Sequence, residues 1–186
     1  PNGEKSNLSE KQWLQVRTPN FKKWFGDWEA AHTVKTVRDF LNNSKPVGEI
    51  TGNEFSKSNS SLLDRVANYY KETGNEIVTN KELGNVKLDK RGIKDSIGHG
   101  MGREKAAAFA LVPDVIKNGL IYDRQSNWKG RGYDTATLIA NVKIGGKDYV
   151  CEVIVKSSDN RQGFYLHEVE IKENLDDVFK TAINGT

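Results

Sequence analysis

The sequence has one cysteine, three histidines and four prolines in 186 residues, and these shortages exclude several classes of protein. A single cysteine, Cys151, excludes a disulfide within the chain and a cysteine-rich zinc site. No apolar run approaches the roughly 18 residues of a membrane-spanning helix, and the N-terminal residues have no signal-peptide pattern. There is also no internal repeat. We therefore expect a soluble protein without a membrane partner.

What is present is typical of a folded and mildly basic protein. Hydrophobic residues make up 36% of the chain, four tryptophans are included, and the formal net charge is +3. The length suffices for a buried core, either in one domain with an extension or in two small domains. A charge of this size allows a phosphate-bearing partner without demanding one. Since the chain begins at Pro1, we expect it to be a segment of a longer protein.

The first 45 residues have helical patterning. Ser9 and Gln12 fit a capping box, and Pro19 suits the first position of a helix. The polar run from Asn42 to Pro46 then ends the helical pattern. The sequence thus predicts a helical N-terminal extension over residues 1–45 and a catalytic domain over 46–186. One apolar stripe, of the kind that usually packs into a core, is predicted for Phe21, Trp24, Phe25 and Trp28.

In the second domain the hydrophobic period changes from helical to alternating near residue 119. Helices are predicted near 62–70 and 103–118, short strands at NEIVTN and NVKLD, and KRGIKDSI fits neither period clearly. The alternating segments GLIYD, DTATLIANVKI, KDYVCEVIVKS and GFYLHEVEI follow, with Gly145-Gly146 as a hairpin turn. This order predicts an α+β fold, with N-terminal helices followed by a four-stranded antiparallel sheet. The side chains predicted to face its core are Tyr149, Cys151, Val153 and Val155.

The three histidines can be weighed one by one. His32 lies among small residues of the helical segment and is expected at the surface. His99 lies between two glycines before the helix predicted at Arg103, where a helix N-terminus attracts anions; a flexible loop is the alternative. His167 lies in the last strand, either as a catalytic imidazole or as a hydrogen-bonded core residue. Regular alternation would place Tyr165, His167, Val169 and Ile171 on one face and Phe164, Leu166, Glu168 and Glu170 on the other.

The segment QSNWKGRGYDTA, residues 125–136, places aromatic and cationic side chains at the start of a strand. Lys129 and Arg131 can face one ligand, and Trp128 and Tyr133 can stack on bases. Thr135 adds a hydroxyl on the same sheet. A cation, a hydroxyl and an imidazole together suit attack by an RNA 2′-hydroxyl on its neighbouring phosphate, a reaction that needs no metal. The alternative is a solvated hairpin loop.

Three separated motifs resemble a domain of large polyvalent proteins of phages and mobile elements and of related toxin C-termini. They are RGIKDSIGHGMGREKAAAFALVPDVIKNGLI, NWKGRGYDTATLIANV and FYLHEVEI, within residues 47–174. That group is similar to the barnase, EndoU, colicin and RelE-like (BECR) ribonuclease fold, in which helices precede a four-stranded antiparallel sheet that carries the active site. Separately, TPNFKKWFGDWE resembles a segment that precedes various effector domains in polyvalent proteins.

The resemblance implies functional roles for residues in all three motifs, and the residue patterns point to the same places. Neither predicts a metal or a cofactor. Taken together, the predicted catalytic residues are His99, Lys129, Arg131, Thr135, Tyr165 and His167, and the predicted substrate-binding residues are Arg103, Trp128 and Tyr133.

The expected function is that of a metal-independent endoribonuclease, a toxin or effector domain with tRNA as a candidate substrate. The expected partners are RNA and a cognate inhibitor or immunity protein, and the expected site of action is the cytoplasm of a target cell after delivery within a larger protein. One alternative is an ADP-ribosyltransferase, since FKKWFGDW also resembles sequence ahead of such domains. Only Glu168-Val169-Glu170 hints at the residue series that this reaction needs. The other alternative is a non-catalytic interaction domain of a phage polyvalent protein.

Overall fold

The computed structural model describes residues 7–25, 27–56, 58–157 and 163–183. The chain consists of two compact units, Pro1–Thr36 and Val37–Thr186. Within the described ranges no helix is both long and apolar enough to span a bilayer. The helices are α1 (Glu10–Gln15), α2 (Pro19–Phe25), α3 (Trp28–Asn43), α4 (Leu62–Glu72), α5 (Lys90–Gly98), α6 (Arg103–Ala108), α7 (Val112–Asn118) and α8 (Leu175–Ile183). The strands are β1 (Glu49–Ile50), β2 (Ile77–Asn80), β3 (Gly84–Lys87), β4 (Leu120–Gln125), β5 (Thr135–Ile144), β6 (Lys147–Ser157) and β7 (Phe164–Lys172).

The first unit consists of short helices, and none of its described side chains is buried. The capping box predicted at α1 is confirmed, because the Ser9 hydroxyl accepts from the Gln12 amide at 3.3 Å while Gln12 Oε1 accepts from the Ser9 amide at 2.9 Å. Pro19 begins α2, as predicted. The prediction of one continuous apolar stripe is wrong, since α2 ends at Phe25, α3 begins at Trp28, and Trp28 is 38% exposed. The side chains of Trp24 and Phe25 lie outside the described part.

A mixed sheet organises the second unit. Seven strands of the described chain form it in the order β1-β5-β6-β7-β3-β2, and β4 also pairs with β5. The pairs among β4, β5, β6 and β7 are antiparallel, as the alternating segments predict. The pairs β1/β5 and β3/β7 are parallel. The predicted four-stranded antiparallel sheet is therefore only part of the sheet, because strands as short as β1, with 2 residues, leave no readable period.

One face of this sheet is the main hydrophobic core. The two-residue turn Gly145-Gly146 sets the pairing of β5 with β6, so that side chains facing the core alternate regularly along both strands. Those of β6 are the four predicted ones. Cys151 is fully buried, and its burial raises the pKa of the thiol. Helices α4, α5, α6 and α7 cover this face with Val66, Tyr70, Ile93, Ala107, Val112 and Ile116.

The opposite face of the sheet, here called the second face, is closed only at its centre. The Asn141 side-chain amide donates to the carbonyl oxygens of Leu41 at 2.6 Å and Ser44 at 3.0 Å, which fixes the end of α3 on β5. Helix α8 contacts β7 and buries Val178 and Phe179. The part of the second face near the start of β5 and β7 is therefore left for polar side chains.

Strand β7 contains a β-bulge, which overturns the predicted alternation. Ile154 pairs with Glu168, but the next residue of β6, Val155, pairs with Leu166, so that His167 is the extra residue. The extra residue shifts the period by one. The side chains of β7 that pack on the core are consequently Phe164, Leu166, Val169 and Ile171, whereas Tyr165, Glu168 and Glu170 belong to the second face.

Helix α5 holds this bulge in place. The ambiguous segment KRGIKDSI is helical because Asp89 caps it, accepting from the Gly92 amide at 3.1 Å. A Cβ on Gly92 would lie 2.1 Å from the Leu166 carbonyl oxygen, so only glycine allows this approach. One turn later the buried Ser96 hydroxyl accepts from the Val169 amide at 3.0 Å. The helix thus supplies a hydrogen-bond acceptor for a backbone amide of β7 two residues after the bulge.

Candidate active site

The close docking of α5 on β7 brings the two predicted histidines together. His99 caps the C-terminus of α5, and His167 is the bulge residue. Their rings lie 5.5 Å apart, centroid to centroid, at an angle of 84°. His99 is 45% exposed and His167 is 19% exposed, so one ligand can reach both rings.

Each histidine has a carboxylate beside it. His167 Nδ1 lies 3.5 Å from Asp95 Oδ2, and His99 Nδ1 lies 3.7 Å from Glu168 Oε1. The Lys105 ammonium lies 3.9 Å from that same Glu168 oxygen. Each histidine therefore has one carboxylate neighbour, and the one beside His99 is shared with Lys105.

The surroundings of His167 favour its neutral form. Burial, the largest cause, lowers the pKa of His167 below its ordinary value of 6.5. The Asp95 carboxylate opposes this and raises the pKa, while the Lys156 and His99 charges lower it further. An imidazole that is neutral near pH 7 can accept a proton.

Two side chains of β7 each bury a polar atom. Among the described residues, His167 Nδ1 and Tyr165 Oη have no hydrogen-bond partner. The contact of His167 with Asp95 has the distance of an ion pair but not the alignment of a hydrogen bond. Buried polar groups are almost always paired, so these two atoms make the end of β7 unusually polar for a protein interior.

A row of side chains crosses three strands next to the histidines. Lys156 of β6 pairs with Thr135 on one side and with Tyr165 on the other. Its ammonium lies 5.7 Å from the Tyr165 ring centroid and 3.8 Å from that of Tyr133. Arg91 of α5 lies over the far side of the row, 4.9 Å from the Tyr165 ring. Thr135, which pairs with Lys156, is only 7% exposed, so its side chain is buried beside this row.

The segment 125–136 extends this row outward. The Trp128 and Tyr133 rings stack with centroids 5.7 Å apart and an angle of 25° between their planes. Lys129 Nζ lies 4.4 Å and Arg131 Cζ lies 5.2 Å from the Trp128 ring centroid. We call Trp128, Tyr133, Lys156 and Tyr165, together with Lys129, Arg131 and Arg91, the aromatic–cationic row.

This segment has a defined backbone rather than that of an open loop. Asn127 and Lys129 both have φ of 49°, a left-handed conformation that non-glycine residues rarely adopt. Local hydrogen bonds fix this backbone conformation. The Trp128 amide donates to the Tyr133 carbonyl at 2.7 Å, and the Asn127 amide donates to the Asp134 carboxylate at 2.9 Å. The backbone of Asp134 is in turn fixed to Ser157 of β6. Such a cost is characteristic of functional segments.

Arg103 is the one predicted site residue that the structure places elsewhere. Its guanidinium donates to Asn53 Oδ1 at 2.7 Å and lines a separate cleft. Of the series Glu168-Val169-Glu170, Glu168 lies beside His99 and Glu170 contacts the Lys172 ammonium at 2.5 Å. In the described part of the chain no three His, Cys, Asp or Glu side chains form a metal-ligand group.

Four further residues of the cluster escaped the sequence analysis: Arg91, Asp95, Lys105 and Lys156. Glu168 was considered there only as part of a Glu-Val-Glu series. Two signals could have found some of them. Arg91, Asp95 and His99 are spaced by four residues, which becomes one helical face once Asp89 is recognised as a cap. The Gly145-Gly146 turn places Lys156 opposite Thr135.

Comparison with known protein families identifies one family whose model matches this chain. The family model of large polyvalent protein-associated domain 3 matches residues 57–165, which is more than half of the chain. The chain belongs to the large polyvalent protein-associated domain 3 family. This confirms the predicted relation to polyvalent proteins, and the matched region of domain 3 includes His99 and the segment 125–136. Comparison with curated proteins and with solved structures gave no match.

Proposed function

We propose that this domain cleaves RNA without a metal ion, by attack of a ribose 2′-hydroxyl on the adjacent phosphate. The observation that carries the proposal is the pair of histidines in unlike environments, 5.5 Å apart at the end of an aromatic–cationic row. Acid–base catalysis of this reaction needs one group that accepts a proton and another that donates one. The resemblance to BECR ribonucleases supports the same chemistry.

The environments assign the roles. His167, which burial keeps neutral, accepts the proton of the 2′-hydroxyl as its oxygen bonds to phosphorus. His99, the more exposed ring, donates a proton to the 5′-oxygen as the bond from phosphorus to that oxygen breaks. The products are a 2′,3′-cyclic phosphate and a free 5′-hydroxyl. Asp95 positions His167 and Glu168 positions His99.

Cations beside the histidines stabilise the charge that develops on the phosphorane oxygens. Lys156 is the best placed, because its charge already lowers the pKa of His167. Lys129 and Arg131 lie further out, on Trp128, and bind flanking phosphates. Trp128 and Tyr133 offer ring faces on which unpaired bases stack. The row therefore favours single-stranded RNA, for which a tRNA loop is one source.

The test is cleavage of total RNA by the purified protein in EDTA. We expect cuts that leave 2′,3′-cyclic phosphates, and a loss of about 10²- to 10⁴-fold in rate for His99→Ala and for His167→Ala. His32→Ala is the matched control, since His32 is exposed on α3 and its Nδ1 lies 3.5 Å from the Thr36 hydroxyl. Full activity in a folded double variant of His99 and His167 would remove both from the mechanism. Binding of RNA without any cleavage would favour the non-catalytic interaction domain.

The partner and the place of action belong to the same proposal. A ribonuclease of this kind would be carried in a larger delivered protein and act in the cytoplasm, and its producer would need an acidic inhibitor that covers Lys129 and Arg131. Expression of the wild-type domain alone in bacteria should arrest growth, and expression of His167→Ala should not. Harmless expression of the wild-type protein at high level would contradict both the inhibitor and the nuclease.

A further inference from the structure

A separate cleft lies between residues 52–65 and residues 101–107. It is lined by arginines and apolar side chains and by none of the histidines. It has a volume of about 430 Å³, within the range of roughly 300–1,000 Å³ that holds small ligands. Two arginines, Arg65 and Arg103, line it, and none of its lining residues is acidic. The remaining walls are mainly apolar, with Phe55, Leu62, Met101, Ala106 and Ala107 among them.

Both guanidinium groups are held in position and keep their charge uncompensated. Arg103 donates to Asn53 Oδ1 at 2.7 Å, and Arg65 donates to the backbone carbonyls of Ser60 and Phe55. Within the described residues neither arginine forms a salt bridge, and the buried Arg65 Nε has no hydrogen-bond partner. Arg65 Nη1 also lies 3.5 Å from the Ser58 hydroxyl, so the donors left for an anion are those of Arg103 and of Nη2 of Arg65.

We propose that this cleft binds a mononucleotide. A phosphate dianion, with three terminal oxygens and a second negative charge, matches two guanidiniums better than a carboxylate, which has two oxygens and one charge. The apolar wall, in which Phe55 is set edge-on to Tyr69 with centroids 5.3 Å apart, provides contact area for the base. Asn53 and Ser56 at the rim supply an amide and a hydroxyl for ribose or base edges. This binding does not depend on the ribonuclease proposal, because none of the residues that carry it touches the histidine pair.

The test is ligand-observed NMR titration of the folded protein with 5′-UMP and 5′-AMP. We expect saturable binding with a Kd of about 10 µM to 1 mM. Uridine lacks the phosphate, inorganic phosphate lacks the base, and benzoate replaces the phosphate with a carboxylate, so each should bind at least about 10-fold more weakly. Equal affinity for phosphate or benzoate, or no saturation by either nucleotide up to about 5 mM, would overturn the proposal.

Three variants locate the binding. Arg103→Gln should weaken nucleotide binding by about 10-fold or more through loss of one charged fork. Ala106→Leu fills the apolar wall and should weaken it by a similar factor of about 10. Arg124→Gln is the matched control, because Arg124 is a half-exposed arginine that pairs with Glu82 at 2.6 Å and does not line the cleft. Unchanged affinity in folded Arg103→Gln and Ala106→Leu proteins would show that the nucleotide binds elsewhere and would refute the assignment.

Discussion

The two faces of the sheet are made by the same strands, yet at the end where β5 and β7 begin they differ in chemistry, apolar on the core side and polar on the other. On the core face, β5, β6 and β7 present an unbroken apolar surface, and even its single thiol, Cys151, is fully buried. On the second face, the same strands present Thr135, Lys156, Tyr165 and Glu168. Period 2 alone would separate the faces along each strand, but it would place His167 and Val169 on the same side. The bulge in β7 is what separates them.

The comparison also shows how the two faces are stabilised differently. The core face is stabilised by apolar burial, which tolerates many sequences of similar volume. The second face depends on a few specific contacts at the bulge, where Gly92 and Ser96 of α5 meet the backbone of β7. The side of the sheet that carries the candidate site is therefore the more sensitive to single changes at that edge.

The largest effect is expected when the contact that holds the bulge is broken. Gly92→Ala places a Cβ against the backbone oxygen of Leu166, which cannot move without disturbing β7, so we expect a loss of about 3 kcal/mol or more in the free energy of unfolding. Gly98→Ala in the same helix is the control: nothing lies within 4 Å of its Cβ position, and roughly 0–1 kcal/mol of gain is expected. Urea unfolding of both variants makes the measurement. Equal stability of the two would mean that α5 does not dock as described.

The next comparison sets the aromatic–cationic row against another aromatic and cationic pair, Trp13 and Arg17. Trp128→Ala should weaken binding of single-stranded RNA by about 1–3 kcal/mol, or roughly 5- to 150-fold. Trp13→Ala is the control, since Trp13 lies under the Arg17 guanidinium at 3.7 Å but belongs to the first unit. Fluorescence anisotropy at one fixed salt concentration gives both affinities. Equal losses would show that binding follows general cation–aromatic character rather than the row.

The role of Asp95, the carboxylate beside His167, is tested through the pH dependence of the cleavage rate. Because the pKa of His167 is lowered, the acid limb of the cleavage rate should lie below pH 6.5, with activity lost as pH falls through the folded pKa. Asp95 raises that pKa, so Asp95→Asn should move the limb to still lower pH and reduce the rate by about 10-fold. Asp148→Asn, at an exposed position beside Lys143, should change neither. A limb that stays in place in Asp95→Asn would reduce Asp95 to a structural role.

The smallest expected effect concerns the centre of the second face. Burial raises the pKa of Glu152, whose carboxylate accepts a hydrogen bond from Tyr122. A raised folded pKa means that the neutral acid stabilises the fold at low pH, and that this stability is lost as pH rises through the folded pKa. Glu152→Gln should therefore gain up to about 1 kcal/mol at pH 8 and nothing below pH 4.5. Thermal melts at both pH values, with Glu173→Gln as a control that gives up its contact with Lys147, will show whether the gain is specific.

Much of the fold could be predicted because its signals are local. The capping box at Ser9, the helices around Val66 and Phe109, and the hairpin at Gly145-Gly146 depend on residues a few positions apart. The core-facing residues of β6 follow from period 2 and were predicted correctly. The short strands β1 and β3 join the sheet through parallel pairs with distant partners, which no local pattern reveals.

For the candidate site, the sequence by itself determined which residue types were available: two histidines in polar contexts and one segment that combines aromatic rings with cations. Only the tertiary structure decided that His99 and His167 meet, that Asp95 and Lys156 join them, and that Arg103 does not. The physical reason is the contact between Gly92 and Leu166, two residues far apart in the chain. It places the end of α5 beside a β-bulge, and a bulge is set by what packs on the strand rather than by the strand's own pattern of polar and apolar residues.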